Sequence, residues 1–236
     1  MSIDRADSHS LHNDGSVAIC PTVTAFNPQE YDRQVHMLRQ FAKRLHVDLM
    51  DGEFAPTVSP PLADVWWPHD LIADIHIMYQ HPMDYIDDLI GLRPNMVIIH
   101  AEAAVHHMHF AALLHRHGIR AGVSILHDTP VDNIKQIMHS FDHVLLFSGH
   151  LGYHGGQADM GVLAKAQEIR QYYPQIEIGW DGGVNNENAV QLIEGGVQVL
   201  NVGGYIHKAE QPAAAYATLQ ALASQTIIGA GEQWQQ

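Results

Sequence analysis

The sequence predicts a single (β/α)8 TIM barrel, and three observations predict it. From residue 17 onward, short apolar runs alternate with helical periods through eight units. No stretch rich in Pro, Gly or Ser divides them. The 236 residues also approach the roughly 250 that one closed barrel uses. Strands that alternate with helices pair in parallel, and eight such units in this length favour closure over an open doubly wound sheet.

Each unit has its own warrant. VAICPTVT (17–24) reads as the first strand, and Tyr31, Val35, Leu38, Phe41, Ala42 and Leu45 recur at helical spacing as one apolar face. LHVDLM follows and runs into MDG and a Pro-rich loop with room for a short helix. DLIADIHIM is the third strand; Pro82 then stands in a first helical turn, ahead of a stripe of Met83, Ile86, Leu89 and Ile90. NMVIIH leads to a helix carrying Val105, Met108 and Ala112. After GIRAGVSIL, Thr129 is the expected N-cap and Pro130 the first helical residue, with Val131, Ile134 and Ile137 turned inward. HVLLFS precedes a Gly-rich loop and a helix bearing Val162, Ala166 and Ile169. IEIGW precedes Asp181, and its helix, with Ala189, Leu192 and Ile193, stops at Gly195-Gly196. VQVLNV is the last strand; Tyr216, Leu219, Leu222 and Ala223 mark the last helix. The barrel is expected over 17–226, with 1–16 a polar N-terminal arm and 227–236 a loose C-terminal tail.

Composition narrows the function. Twelve Lys plus Arg against 26 Asp plus Glu give a net charge of −14, the wrong sign for neutralising phosphates along a nucleic acid. No run approaches the ~20 apolar residues of a membrane span, and the first residues lack an apolar signal-peptide core. The lone Cys20 permits no internal disulfide and reads as core. A cytoplasmic protein is expected.

Barrel chemistry collects at the C-terminal ends of the strands. Those ends carry Thr22, Thr24, His46, Asp48, His76, His100, Glu102, Ser148, His150 and Asp181, where parallel strands ought to be continuously apolar. His46 and Asp48 are two apart and share one face, with Met50 next along it. Together with His76 and Asp181 they make a donor set for one divalent cation such as zinc, manganese, iron or cobalt. Among 19 histidines some reach strand ends by chance, and a lone buried histidine is more often hydrogen-bonded core; the joint placement favours the metal. Glycine is the second signal: WDGGV and NVGGY end strands seven and eight, where backbone amides cradle phosphate in many barrels. Gly-Gly pairs are also ordinary turns, so the weight lies in having two at adjacent strand ends.

Trp66 and Trp67 read as packing or a subunit contact, and His106, His107 and His109 as the solvated face of a helix. His100 and Glu102 read as support for the metal ligands.

These residues resemble the ribulose-phosphate 3-epimerase family. LHVDLMDGEFAPTVSPP, ADIHIMYQHPMDYI, VIIHAEA, GVSILHDTP, GYHGGQ and WDGGVNNENAVQLIEGGVQVLNVGGYI are similar to that family's segments, in order, from about residue 18 to about 215. The resemblance implies a barrel that interconverts D-ribulose 5-phosphate and D-xylulose 5-phosphate by inverting C3. It places His46, Asp48, His76 and Asp181 on the metal ligands, and Asp48 and Asp181 on the two acid/base carboxylates. It also places Thr22, Met50 and Met78 at the substrate, and Gly155, Gly156, Gly182, Gly183, Gly203 and Gly204 on phosphate-binding backbone. A homo-oligomer and a small sugar phosphate, with no nucleic acid or membrane, are the implied partners.

The departures lie in the walls of the site. The loop His150-Leu151-Gly152-Tyr153-His154-Gly155-Gly156-Gln157 is one residue longer than the family's and lacks its proline. Phe147 replaces a methionine, Leu126-His127 an Asn-Pro, Glu53 a His or Asn, and Gly204 a frequent serine. Two further readings therefore stand beside the first: a hexulose-phosphate 3-epimerase, acting for example on allulose 6-phosphate, and a non-catalytic metal-binding barrel serving as a binding or assembly module.

Overall fold

The structure is a computed structural model that describes residues 16–153 and 155–233, with side chains described up to 226. The strands are β1 (Ala18–Thr24), β2 (Arg44–Met50), β3 (Ile72–Met78), β4 (Met96–His100), β5 (Arg120–Ile125), β6 (His143–Phe147), β7 (Glu177–Asp181) and β8 (Val199–Val202). Each pairs in parallel with the next, and β8 returns to β1, closing the eight-stranded barrel that the alternation predicts. Around it lie α1 (Pro28–Leu38), α2 (Ile86–Leu92), α3 (His107–Arg116), α4 (Asp132–Lys135), α5 (Ala164–Tyr172), α6 (Ala189–Glu194), α7 (Gly204–His207) and α8 (Pro212–Gln233). No helix among the described residues is long and apolar enough to cross a membrane.

Strand side chains alternate between two environments, as a period of two requires. Val23, Val47, Ile75, Val97, Val123, Val144, Ile178 and Leu200 point outward and pack under the helices in one large apolar cluster. The inward set is stacked by height. At the N-terminal end, Arg44 Nε lies 2.6 Å from Asp74 Oδ2, and Glu177 Oε2 lies 3.4 Å from Arg44 Nη2, 3.0 Å from Arg120 Nη2 and 2.8 Å from His143 Nδ1. Met96, Ile98 and Leu145 form a small apolar plug apart from the main core. The inward positions nearest the C-terminal strand ends are polar and carry the site. Cys20 faces inward beside the ionic layer, fully buried, and burial pushes its thiol up to about 12, which leaves it inert.

Local departures have physical causes. Between β2 and β3 the described chain makes one 3-10 turn, Leu62–Asp64, because Pro56, Pro60, Pro61 and Pro68 remove the donors a longer helix needs. Leu45 belongs to β2 rather than to the α1 stripe. α3 begins at His107, so its buried stripe is Phe110, Ala111 and Leu114; Met108 is exposed, and Ala112 is exposed too. Thr129 does not cap α4. Its hydroxyl donates to the Glu102 carboxylate, a charged acceptor stronger than a backbone amide's demand for a cap. The tail expected to be loose from 227 is helical through Gln233: adding a residue to a formed helix costs little, and no proline interrupts. Of the expected N-terminal arm, residues 1–15 lie outside the described residues.

Candidate active site

β2 and β3 pair with Asp48 opposite His76, and the two-residue spacing puts His46 on the same inward face as Asp48. The carboxyl oxygen Asp48 Oδ1 then lies 3.2 Å from His46 Nε2 and 3.1 Å from His76 Nδ1. Asp181, at the end of β7, brings its Oδ2 to 3.8 Å from His46 Nε2 and 3.9 Å from His76 Nδ1. One donor atom from each of the four residues falls within 4.8 Å of all the others. Ligands at ~2.0–2.2 Å from a common four-coordinate ion are separated by roughly these distances. His46 Nε2 is buried and forms no hydrogen bond, an atom left over unless something coordinates it. Two imidazole nitrogens with two carboxylates suit a first-row transition dication better than calcium or magnesium. The donor set therefore fits a metal ion.

Burial would raise the Asp48 carboxyl, yet His46 and His76 hold it well below the usual carboxylate range. Burial and the neighbouring Asp48 charge push Asp181 up to about 7, against the opposing pull of His46. Burial lowers His76 to about 3, which keeps it neutral and able to ligate. Thr24 completes the setting of Asp48 by donating its hydroxyl to Oδ2 at 2.7 Å.

His100 and Glu102 extend the cluster. His76 Nε2 lies 2.9 Å from His100 Nε2, and His100 Nδ1 lies 3.4 Å from Glu102 Oε2. Glu102 is itself fixed at Oε1 by the Leu126 amide at 3.1 Å and by the Thr129 hydroxyl. With a metal bound, His76 would keep its Nδ1 lone pair for the ion and donate from Nε2 to His100 Nε2, leaving His100 Nδ1–H directed toward Glu102 Oε2 without a closed hydrogen bond.

A pocket of about 260 Å³ opens above this floor. Thr22, Asp48, Met50, Met78, Gly155, Gly156, Asp181, Gly182, Gly183, Gly203 and Gly204 all line it. His46 and His76 do not, being 1% and 0% exposed beneath it. The glycines do not all serve one purpose. Gly182 and Gly183 have φ of +112° and +70°, and a Cβ there would strike the backbone of Gly149 and of Ala158. They let the loop after β6 pack against the end of β7, and only then does that loop reach the pocket.

Three site features escape the strand-end reading. Asp51 of MDG anchors the loop after β2, accepting at Oδ1 from the Glu53 and Phe54 amides and at Oδ2 from the Gln80 amide at 2.6 Å. An Asp before Gly is the turn signal that would have found it. Asn201 lines the pocket at 2% exposure with neither amide atom hydrogen-bonded, and an amide side chain near the end of VQVLNV was the signal for it. Lys208 also lines the pocket, from just beyond α7.

The family model described as "Ribulose-phosphate 3 epimerase family" matches residues 18–207. A ribulose-phosphate 3-epimerase of Bacillus subtilis is 32% identical over 171 residues, 69% of this chain and 79% of its own. One from Helicobacter pylori (strain ATCC 700392 / 26695) is 33% identical over 184 residues, 75% of this chain and 84% of its own. Among solved structures, a 3-hexulose-6-phosphate synthase superposes with a TM-score of 0.65 at 15% identity, covering 87% of this chain and 99% of that one, a likeness of fold.

Proposed function

This chain belongs to the ribulose-phosphate 3-epimerase family, and from that premise we propose that it interconverts D-ribulose 5-phosphate and D-xylulose 5-phosphate, or a close ketose-phosphate pair, by inverting C3. It is an isomerase, an epimerase of sugar phosphates. The observation that carries the finer reading is the pair Asp48 and Asp181: two carboxylates within 4.8 Å of each other at the floor of a pocket rimmed with glycine.

Inversion next to a carbonyl requires a proton to leave one face of the carbon and another to arrive on the opposite face. Asp48 takes one face and Asp181 the other, and the two exchange the roles of base and acid with the direction of reaction. Thr24 holds Asp48 Oδ2 in place, so the carboxylate meets the substrate in one orientation. Met50, Met78 and Phe147 line the pocket and shield the reacting carbon from water. The backbone around Gly155, Gly156, Gly203 and Gly204 takes the phosphate. A divalent cation, zinc, iron, manganese or cobalt, held by His46, Asp48, His76 and Asp181 would supply Lewis-acid stabilisation of the charge developing on the substrate oxygens.

His150 and Tyr153, in the lengthened loop after β6, line the pocket and favour a second reading, a hexulose-phosphate 3-epimerase on the same floor. The test is incubation of the metal-loaded protein with ribulose 5-phosphate and with a panel of hexulose 6-phosphates, followed by NMR of the products. Xylulose 5-phosphate supports the first reading, and a hexulose epimer alone supports the second. No epimer from any ketose phosphate leaves a metal-binding barrel without this activity.

A further inference from the structure

The ammonium of Lys208 occupies a place in the pocket that the epimerase reading does not use. The turn of α7 closes with Lys208 N donating to Gly204 O at 3.0 Å, which folds the lysine back over the end of β8. Its Nζ then stands 3.0 Å from where a Cβ on Gly155 would be, and 3.9 Å from one on Gly204. The charge therefore lies between the loop after β6 and the loop after β8, the two sides of the glycine rim. Lys208 is the one Lys or Arg among the described residues that lines the pocket.

A solvated surface lysine is ordinary, so its partners matter. Lys135 pairs with Asp132, and Lys165 donates to the carbonyls of Leu126, His127 and Thr129. The Lys208 ammonium has no partner of either kind among the described residues, in a chain with 26 Asp plus Glu to offer one. Gly155 and Gly204 supply only backbone amides; among the described lining residues Lys208 adds an ammonium at this end, with the His150 imidazole near Gly156.

We propose that Lys208 is a substrate-binding residue that holds the terminal phosphate dianion of the ketose between Gly155 and Gly204. This rests on the sugar-phosphate reading of the same pocket. A charge-assisted contact of this kind selects phosphorylated over unphosphorylated ketoses without touching the reacting carbon.

The test compares the metal-loaded parent with Lys208→Met, which keeps the stem and removes the charge, and with Lys208→Arg. Two readouts are taken: kcat/KM for the epimerised ketose phosphate, and the dissociation constant of inorganic phosphate by calorimetry. Metal content and Tm serve as controls, because an exposed lysine with a merely structural role would move those instead. Lys208→Met is expected to lose about 10- to 100-fold in both readouts, the range for a hydrogen bond to a charged group. Lys208→Arg is expected to restore most of the loss. Phosphate affinity and kcat/KM both unchanged in Lys208→Met overturn the proposal, even if the parent epimerises ribulose 5-phosphate. A parent that turns over no ketose phosphate, yet binds phosphate through Lys208, upholds the proposal while the epimerase reading fails.

Discussion

Asp48 is held from three sides, by His46, His76 and Thr24, and Asp181 approaches the same two histidines from β7. In the proposed function each carboxylate would serve twice, as a proton-transfer group and as a metal donor. Asp181→Asn is expected to lower kcat by about 10²–10⁴-fold, the usual worth of a positioned acid–base group, with a folded protein by circular dichroism. A loss of less than tenfold would remove Asp181 from the chemistry. His100 acts one step further out. His100→Ala frees the Nε2–H of His76 and is expected to weaken metal binding about 10- to 100-fold, measured by chelator competition. His100→Gln, which keeps an acceptor, should recover part of that affinity. At this scale the sequence was informative: the four donors, His100 and Glu102 all stand out as polar residues at the ends of apolar strands. Asn201 opens NVGGY, where the glycines alone were weighed; Lys208 belongs to no motif, and only the closure of the barrel brings it beside Gly155.

The strands were legible because their alternation is short-range and each is bounded by turn residues. Helix phase was harder. The stripe expected at Val105, Met108 and Ala112 falls instead on Phe110, Ala111 and Leu114, because apolar residues on both sides of α3 left its sequence ambiguous. The Thr129 cap failed for a different reason: its competitor, Glu102, is 27 residues away in sequence and adjacent only in space. The loops after β6 and β7 show how an element can depend on glycine for packing as well as for the pocket that the same glycines line. Gly183→Ala places a side chain at a φ of +70° and against the backbone of Ala158. It is expected to raise KM for the ketose phosphate and to lower Tm, by displacing the loop after β6 from the pocket rim. Unchanged KM with a lower Tm would mean that this loop does not shape the substrate site.

The whole barrel is filled in layers, and its two ends carry opposite risks. The C-terminal end gathers the charged groups of the pocket, while the N-terminal end buries Arg44, Asp74, His143 and Glu177, with Arg120 partly buried beside them. Burial would raise Glu177, yet His143, Arg44 and Arg120 hold it far below the usual carboxylate range. A depressed carboxylate stabilises the fold fully above its unfolded value, and that contribution is lost as pH falls toward the folded one. Glu177→Gln is thus expected to cost about 3–5 kcal/mol at neutral pH by stranding the buried Arg44 beside the partly buried Arg120. That difference from the parent should shrink as pH falls below about 4.5, the ordinary value for the group, in denaturant unfolding followed across pH. A difference that grows in acid would contradict the sign. For function, the central claim is that Asp48 and Asp181 move a proton at C3 only when a divalent cation is present. The most direct test is NMR of ribulose 5-phosphate in D2O with the metal-loaded protein, and again after chelation. The expected result is deuterium at C3 together with xylulose 5-phosphate, both abolished by chelator and restored by added zinc, iron, manganese or cobalt. Epimer formed without deuterium at C3, or exchange that survives complete removal of metal, would contradict it.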